Sequence, residues 1–432
     1  MAAADPLHTE TGGRDATTGV IPGRFALSVG MPPKQGPKGW NWTPLSKVAR
    51  LESGHTPSRK VPEYWGGDVP WIGIRDATAN HGRTIFETQQ YTNNLGIENS
   101  SARILPANTV CLSRTASVGY VVVMGRPMAT SQDFVNWVCS DELDYRFLKY
   151  VLLAEGDAVL QFASGTTHQT IYYPEAKAFH VCMPAPTEQS RIADVLQALD
   201  DKIELNRRMN ETLEAMARAI YANAVRDWPL TTVSALADIF DGPHATPPKT
   251  KVGPIFLGIS NLASGQLDLS ATEHVDEEYF LRWTRRVTPE VGDVVFSYET
   301  RLGQCARIPR GMRCCLGRRM GLLRPKPDRV YSALLLESYL APDFQDTLRR
   351  RTIHGSTVDR IPLIEMGAFP VRMASIDDQT PISEIVTPLR DRMDANAAEN
   401  ETLSALRDLL LPKLMSGEIR VKDAEKLVGE AT

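Results

Sequence analysis

The chain is written twice, and that limits what it can fold into more than any other feature. Gly165-Thr166-Thr167 set against Gly355-Ser356-Thr357 gives an offset of 190, which also carries Ile171 onto Ile361, Ala178-Phe179 onto Ala368-Phe369, and Asn210-Glu211-Thr212-Leu213 onto Asn400-Glu401-Thr402-Leu403. Earlier in each copy the offset slips to 185, where Trp71-Ile72-Gly73-Ile74 meets Phe256-Leu257-Gly258-Ile259, and to 183 between Pro106 and Pro289. Such drift is what loop insertions and deletions leave in a shared fold. Two similar halves also suit a chain of 432 residues, which is too long for one ordinary core.

Each half contains two unlike parts. Residues 40–186 and 227–376 hold short Val, Ile and aromatic runs cut by Gly and Pro, which read as strands, with a helix near 144–158 and another near 332–350. Residues 187–226 contain no Gly or Pro, and Ile192, Leu196, Leu199, Ile203, Asn206, Asn210, Leu213, Ala217 and Ile220 step alternately by four and three. That is a heptad seam on one long helix. The second half repeats it at Ile382, Val386, Leu389, Met393, Asn396, Asn400, Leu403, Arg407 and Leu410, on a helix expected over 377–417. Two such seams in one chain meet at high effective concentration, so the expected pairing is intramolecular and antiparallel. Asn206, Asn210, Asn396 and Asn400 sit where apolar residues would be more stable, and a polar layer of that kind fixes register. The expected fold is α+β, with two similar α/β recognition-type domains separated by two long helices in an antiparallel coiled coil, a pseudo-two-fold tandem repeat. Residues 1–39 lack apolar periodicity and read as a disordered extension, with Met31 an equally good start; 418–432 read as a tail.

Hydrophobic residues at 42% and charged residues at 23% exclude a wholly disordered or fibrous chain. No run approaches the roughly 20 apolar residues of a membrane helix and no signal-peptide core opens the chain, so the expected location is cytoplasmic, with no membrane partner. Six cysteines without a C-x-x-C pair are expected to be reduced and structural. Phosphate-loop, dinucleotide and zinc-protease motifs are absent, as is the N-P-P-[FY] type of tetrapeptide that holds a flipped base, and the eight histidines show no ligand spacing. Glu175-Ala176-Lys177 matches a nuclease E-x-K triplet only as chance allows. The expectation is a chain with no catalytic residues and no metal site.

What stands out instead is a set of loops with polar and basic tips. In the first copy Thr56, Ser58, Arg59 and Lys60 offer hydroxyls and cations for phosphates, with Tyr64 and Trp65 beside them for sugar or base, or for the core. Arg75 and Asp76 follow a strand; Arg suits guanine and Asp cytosine, and a local salt bridge is the plainer reading. Arg114, Thr115 and Ser117, then Thr166, Thr167, His168 and Gln169, complete the set. The candidates in the second copy are His244, Thr246, Lys249, Ser260, Asn261, Tyr298, Arg301, Arg318, Arg319, Ser356, Thr357 and Arg360. Between Arg301 and Arg329 nine basic residues face one acid, a local net charge of +8 in a chain of net −4. Such a run is commonly a solvated face, yet it is concentrated enough to hold phosphates.

Several runs together resemble the specificity subunit of Type I restriction-modification systems, over nearly all of residues 40–421. They are Ser53-Gly54-His55-Thr56-Pro57 and the strand before it, Tyr64-Trp65-Gly66-Gly67-Asp68-Val69-Pro70-Trp71-Ile72, the helix start Glu188-Gln189-Ser190-Arg191-Ile192-Ala193, and Leu411-Pro412-Lys413-Leu414-Met415-Ser416-Gly417. The resemblance implies two target-recognition domains, each reading half of a split site in double-stranded DNA, and two methyltransferase subunits docked on the helices. Those partners would bring S-adenosylmethionine and methylate adenine N6, while two further subunits using ATP with Mg2+ would translocate and cut. This chain would bind no cofactor itself. The second copy departs from the pattern, with Asp241-Gly242-Pro243-His244-Ala245-Thr246 in place of the first loop and no Tyr-Trp-Gly-Gly run. A targeting subunit of another DNA-modification or phage-defence system would share these features; a coiled-coil adaptor without DNA binding and a stand-alone nuclease are the readings from other classes.

Overall fold

The structure, a computed structural model, describes residues 19–164, 169–355 and 358–431. The chain divides into two units, 1–201 with 403–432 and 202–402, so the boundary falls inside the long helices.

In the first unit the strands Ala49–Ser53, Phe134–Cys139, Val110–Ser113 and Val121–Met124 lie side by side and antiparallel, with Thr84–Ile85 added parallel at the edge. Their alternation of Val, Leu and Phe buries both faces: Leu112, Val122, Phe134 and Val135 are all fully enclosed. A three-stranded sheet holds Trp65–Ile72 between Gln90–Thr92 and Ala129–Thr130. The helix α1 (Tyr145–Glu155) packs Phe147, Leu148 and Val151 inward, and its first turn is capped by Asp144.

The second unit repeats this order. Ala237–Asp241, Met320–Pro325, Val294–Ser297 and Cys305–Arg307 form the equivalent antiparallel sheet, and Thr250–Leu257 pairs with Cys314–Leu316 in parallel as its counterpart does with Ala129–Thr130. Every pair of matched strands lies close to the sequence offset, so the duplication is one of fold as well as of sequence.

From the first unit the chain enters α2 (Pro186–Ala224); later come α3 (Glu277–Trp283), α4 (Ser332–Leu340) and α5 (Ile376–Met415). The helices α2 and α5 pack antiparallel along the predicted seams, with Ile192, Leu196, Leu199, Ala217, Val386, Met393, Leu403 and Leu410 buried. The asparagines do meet. Asn206 Nδ2 donates to Asn400 Oδ1 at 3.0 Å, Asn396 Nδ2 donates to Asn210 Oδ1 at 2.7 Å, and Asn210 Nδ2 reaches the Met393 carbonyl at 3.1 Å. Sliding either helix would leave these buried amides unpaired, at about 1–3 kcal/mol each, which is how the layer sets register.

Each long helix begins with a buried glutamine that clamps it to the domain before it. Gln189 Oε1 accepts the Asp144 amide at the start of α1 at 3.0 Å, while its Nε2 donates to the Glu142 and Pro184 carbonyls. Gln379, on α5, repeats all three bonds with Tyr331, Arg329 and Ala374.

The expectation of disorder over 1–39 does not hold for residues 19–39. The strand Leu27–Val29 pairs with Phe179–Met183, and Ile21–Pro22 folds back on it. Glu155 is the reason: its carboxylate accepts the amides of Arg24, Phe25, Ala26 and Leu27 at 2.5–3.1 Å, a ring of donors that no periodicity reveals. Burial raises the Glu155 pKa, and these four bonds offset only part of that rise. All six cysteines are free thiols.

Candidate nucleic-acid interface

In the first unit the loop after Ala49–Ser53 turns at Gly54, where a Cβ would lie 1.9 Å from the Ser131 carbonyl oxygen, so only glycine fits. Two indoles then hold the loop: Trp71 Nε1 donates to the His55 carbonyl at 3.1 Å and Trp65 Nε1 to that of Ser58 at 3.3 Å. The exposed Arg59 guanidinium lies 4.7 Å from the Trp65 ring centroid and 5.2 Å from that of Trp71, and it donates to Gln90. Its charge is therefore placed rather than free to swing. Ser58 and Lys60 are exposed beside it, and Tyr64 and Trp65 are half-buried.

Three of the predicted loops come together here. Thr56 donates to the side chain of Gln132, and Arg114 Nε donates to the Gln132 carbonyl at 3.1 Å. Thr170 Oγ1 donates to Thr115 Oγ1 at 3.3 Å, and the Ile171 amide donates to the Arg114 carbonyl at 2.9 Å. Ser117 turns the middle loop, its carbonyl accepting from Ser113. Gln132 itself carried no sequence signal, yet it is exposed, its side chain meeting the Thr56 hydroxyl and its backbone carbonyl the Arg114 guanidinium. Gln169 is exposed at the loop edge; Thr166, Thr167 and His168 lie outside the described residues, as do Ser356 and Thr357.

Asp76 is withdrawn from this surface. It is 5% exposed, and its oxygens accept the Gly73 and Gln89 amides at 2.9 and 2.8 Å. The equivalent Asn261 caps Gly258 in the same way and donates to the Asp268 carbonyl. Both are frame residues, whereas Arg75 is exposed.

The second unit builds its surface differently. Tyr298 is buried and donates to Asp241 at 3.0 Å; the other Asp241 oxygen takes His244 Nε2 at 2.9 Å and lies 3.7 Å from Arg286. Burial raises the Tyr298 pKa, so it stays a donor. A cleft of about 560 Å3 opens between this loop and the end of α3, lined by His244, Trp283, Arg282, Arg285 and Arg286. Sequence reasoning missed those arginines, whose signal was only a cationic cluster after an amphipathic turn. Thr246 is exposed nearby, and Lys249 pairs with Glu273. Arg301 Nη1 donates to the Ile259 and Ser260 carbonyls at 3.0 and 3.2 Å. The Ile361 amide donates to the Tyr298 carbonyl, repeating the contact between Ile171 and Arg114, and the backbones of Arg360 and Glu299 form an isolated antiparallel β-bridge.

The run of nine basic residues is largely neutralised by the fold. Arg307 pairs with Asp391 and Asp394 on α5, Arg313 with Glu277, Arg319 with Glu299, Arg324 with Asp293 and Glu290, Lys326 with Asp238, and Arg329 with Asp328. Arg310 and Arg318 remain as exposed cations at loop tips.

Among the described residues no group of His, Cys, Asp and Glu is placed to hold a metal ion, and no helix is long and apolar enough to cross a membrane.

Comparison with solved structures shows the same fold in the S subunit of a Type I restriction-modification system from M. genitalium, with a TM-score of 0.58 and 16% identity over 87% of this chain and 96% of that one. Residues 37–215 match the Type I restriction modification DNA specificity domain. The chain is 31% identical over 189 residues to the Type I restriction enzyme MjaIX specificity subunit of Methanocaldococcus jannaschii, and 36% over 115 residues to the HindI specificity subunit of Haemophilus influenzae. These alignments cover 43% and 26% of this chain and span 44% and 24% of the relatives. The first copy thus matches the DNA specificity domain of Type I restriction-modification systems over residues 37–215, and the chain spans less than half the length of the curated specificity subunits it resembles.

Proposed function

We propose that the chain is the DNA-reading subunit of a Type I restriction-modification complex, with residues 40–186 and 227–376 each recognising one half of a split site. The observation that carries this is a shared frame with different readers. Matched amide contacts, Ile171 to Arg114 and Ile361 to Tyr298, hold equivalent loops in both units, while the side chains they present differ throughout.

In the first unit Ser58, Arg59, Lys60, Arg75, Arg114 and Gln132 supply the contacts. In the second, His244, Arg285, Arg286, Arg301 and Arg318 supply them. Cations and hydroxyls position the duplex through its phosphates, and Arg, Gln and His discriminate base edges. The long helices carry two methyltransferase subunits, which bring S-adenosylmethionine; ATP and Mg2+ belong to two restriction subunits where these are present. The chain supplies the address and works in the cytoplasm.

The test is to map methylated sites in a host carrying the native complex and in one where residues 40–186 are replaced by the same domain of a homologue. One half-site should change and the other stay. A change in both halves, or duplex binding that does not weaken as salt rises, overturns the reading.

A further inference from the structure

At one matched position the two units are joined to their long helices by ion pairs of opposite polarity. Positions 200 and 390 are equivalent at the offset of 190, and one is an aspartate while the other is an arginine. On α2, Asp200 is the anion: Lys149 Nζ from α1 lies 3.1 Å from its Oδ2, and the Tyr150 hydroxyl donates to the same oxygen at 2.7 Å. On α5, Arg390 is the cation, its Nε donating to Glu337 of α4 at 2.7 Å. Lys149, Glu337 and Arg390 are each 2% exposed, while Asp200 is partly buried, with its side chain 17% exposed.

The neighbouring positions follow the same reversal. Asp200 also receives Arg407 Nη1 at 3.1 Å from α5. The equivalent of Arg407 is Ala217, which the antiparallel register sets opposite Arg390, so the second site lacks the cation that its counterpart has there. The glutamine clamps are identical in the two units, whereas at this matched position the charges are exchanged.

We propose that the pair is a polarity key, which makes each recognition domain dock on its own long helix and rejects it from the other. The inference goes beyond DNA reading and does not rest on it. A first domain seated on α5 brings the Lys149 ammonium against the Arg390 guanidinium and removes Glu337; a second domain seated on α2 brings Glu337 against Asp200. Like charges enclosed together are unfavourable, with Arg407 alone left to offset Glu337 and Asp200, and they disfavour misdocking within one chain and exchange of domains between copies.

The key is tested in full-length chains by thermal unfolding. Glu337→Lys and Arg390→Asp singly should each lower the unfolding temperature by about 10 °C, and the double variant should recover at least half of that loss. A hybrid in which residues 40–184 also replace 229–374 should melt early, and Arg390→Asp in that hybrid should raise its melting temperature although the same change lowers that of the native chain. A double variant no more stable than the worse single, or a hybrid that does not gain from Arg390→Asp, overturns the key.

Discussion

In the first unit the exposed cation of the reading loop stands on aromatic rings, whereas in the second most arginines are tied to carboxylates. Arg59 lies over Trp65 and Trp71 with its charge facing outward. Arg307, Arg313, Arg319 and Arg324, from a segment far richer in positive charge, each lie against acids from elsewhere in their unit. The difference teaches that charge along a sequence is not charge on a surface. A strand-rich segment returns repeatedly to its neighbours, and each return can bring a counter-charge.

The largest effect should come from where the units differ at an edge. A chain begun at Met31 loses the strand Leu27–Val29 and leaves the Glu155 carboxylate buried without its four amides. The first unit should lose about 5 kcal/mol or more, from exposed apolar area and an unsatisfied charge. Calorimetry should show its transition displaced while that of the second unit stays; two unchanged transitions would mean the strand is dispensable.

Next comes Arg324→Ala, which strands Asp293, itself 2% exposed. A cost of about 3 kcal/mol in the second unit is expected by urea unfolding, with DNA affinity per folded molecule unchanged. An affinity loss without a stability loss would return Arg324 to the interface.

Arg59→Ala should do the reverse. Its stacking contributes about 0.5–1 kcal/mol to stability, but a lost arginine contact should weaken binding by about 1–3 kcal/mol and relax one half-site only. Relaxation of both halves, seen by methylation mapping, would contradict the division of labour.

The smallest effect is that of Arg318→Ala. Stability should not move, and the slope of log affinity against log salt should flatten by about 0.9 if one phosphate contact is lost. An unaltered slope takes this loop tip out of the interface.

The long helices, the asparagine layer and the doubling of the sheet were legible because periodicity and repetition are properties of the chain itself. Asp76 and Asn261 stood among the DNA-binding candidates because sequence cannot say which way a polar side chain after a glycine turns; here each accepts the amide of that glycine, Gly73 or Gly258. Gln132 and the arginines lining the α3 cleft were invisible because their setting is made by strands far away in sequence. The N-terminal strand was missed for a related reason: it is held by one distant carboxylate rather than by a pattern of its own.

The glutamine clamps carry a mechanical consequence. A helix whose first turn is pinned through Gln189 or Gln379 is a shaft keyed to its domain, with no free swivel at the joint. Each residue added to an α-helix advances it by ~1.5 Å and turns it by ~100°. The attached domain then cannot be moved along without being turned. Four residues bring it back to within about 40° of its first heading after ~6 Å, and seven to within about 20° after ~10 Å. The lengths open to such a shaft are spaced like the pitch of a screw, and a change between them turns the loops at the far end of the domain to a new heading.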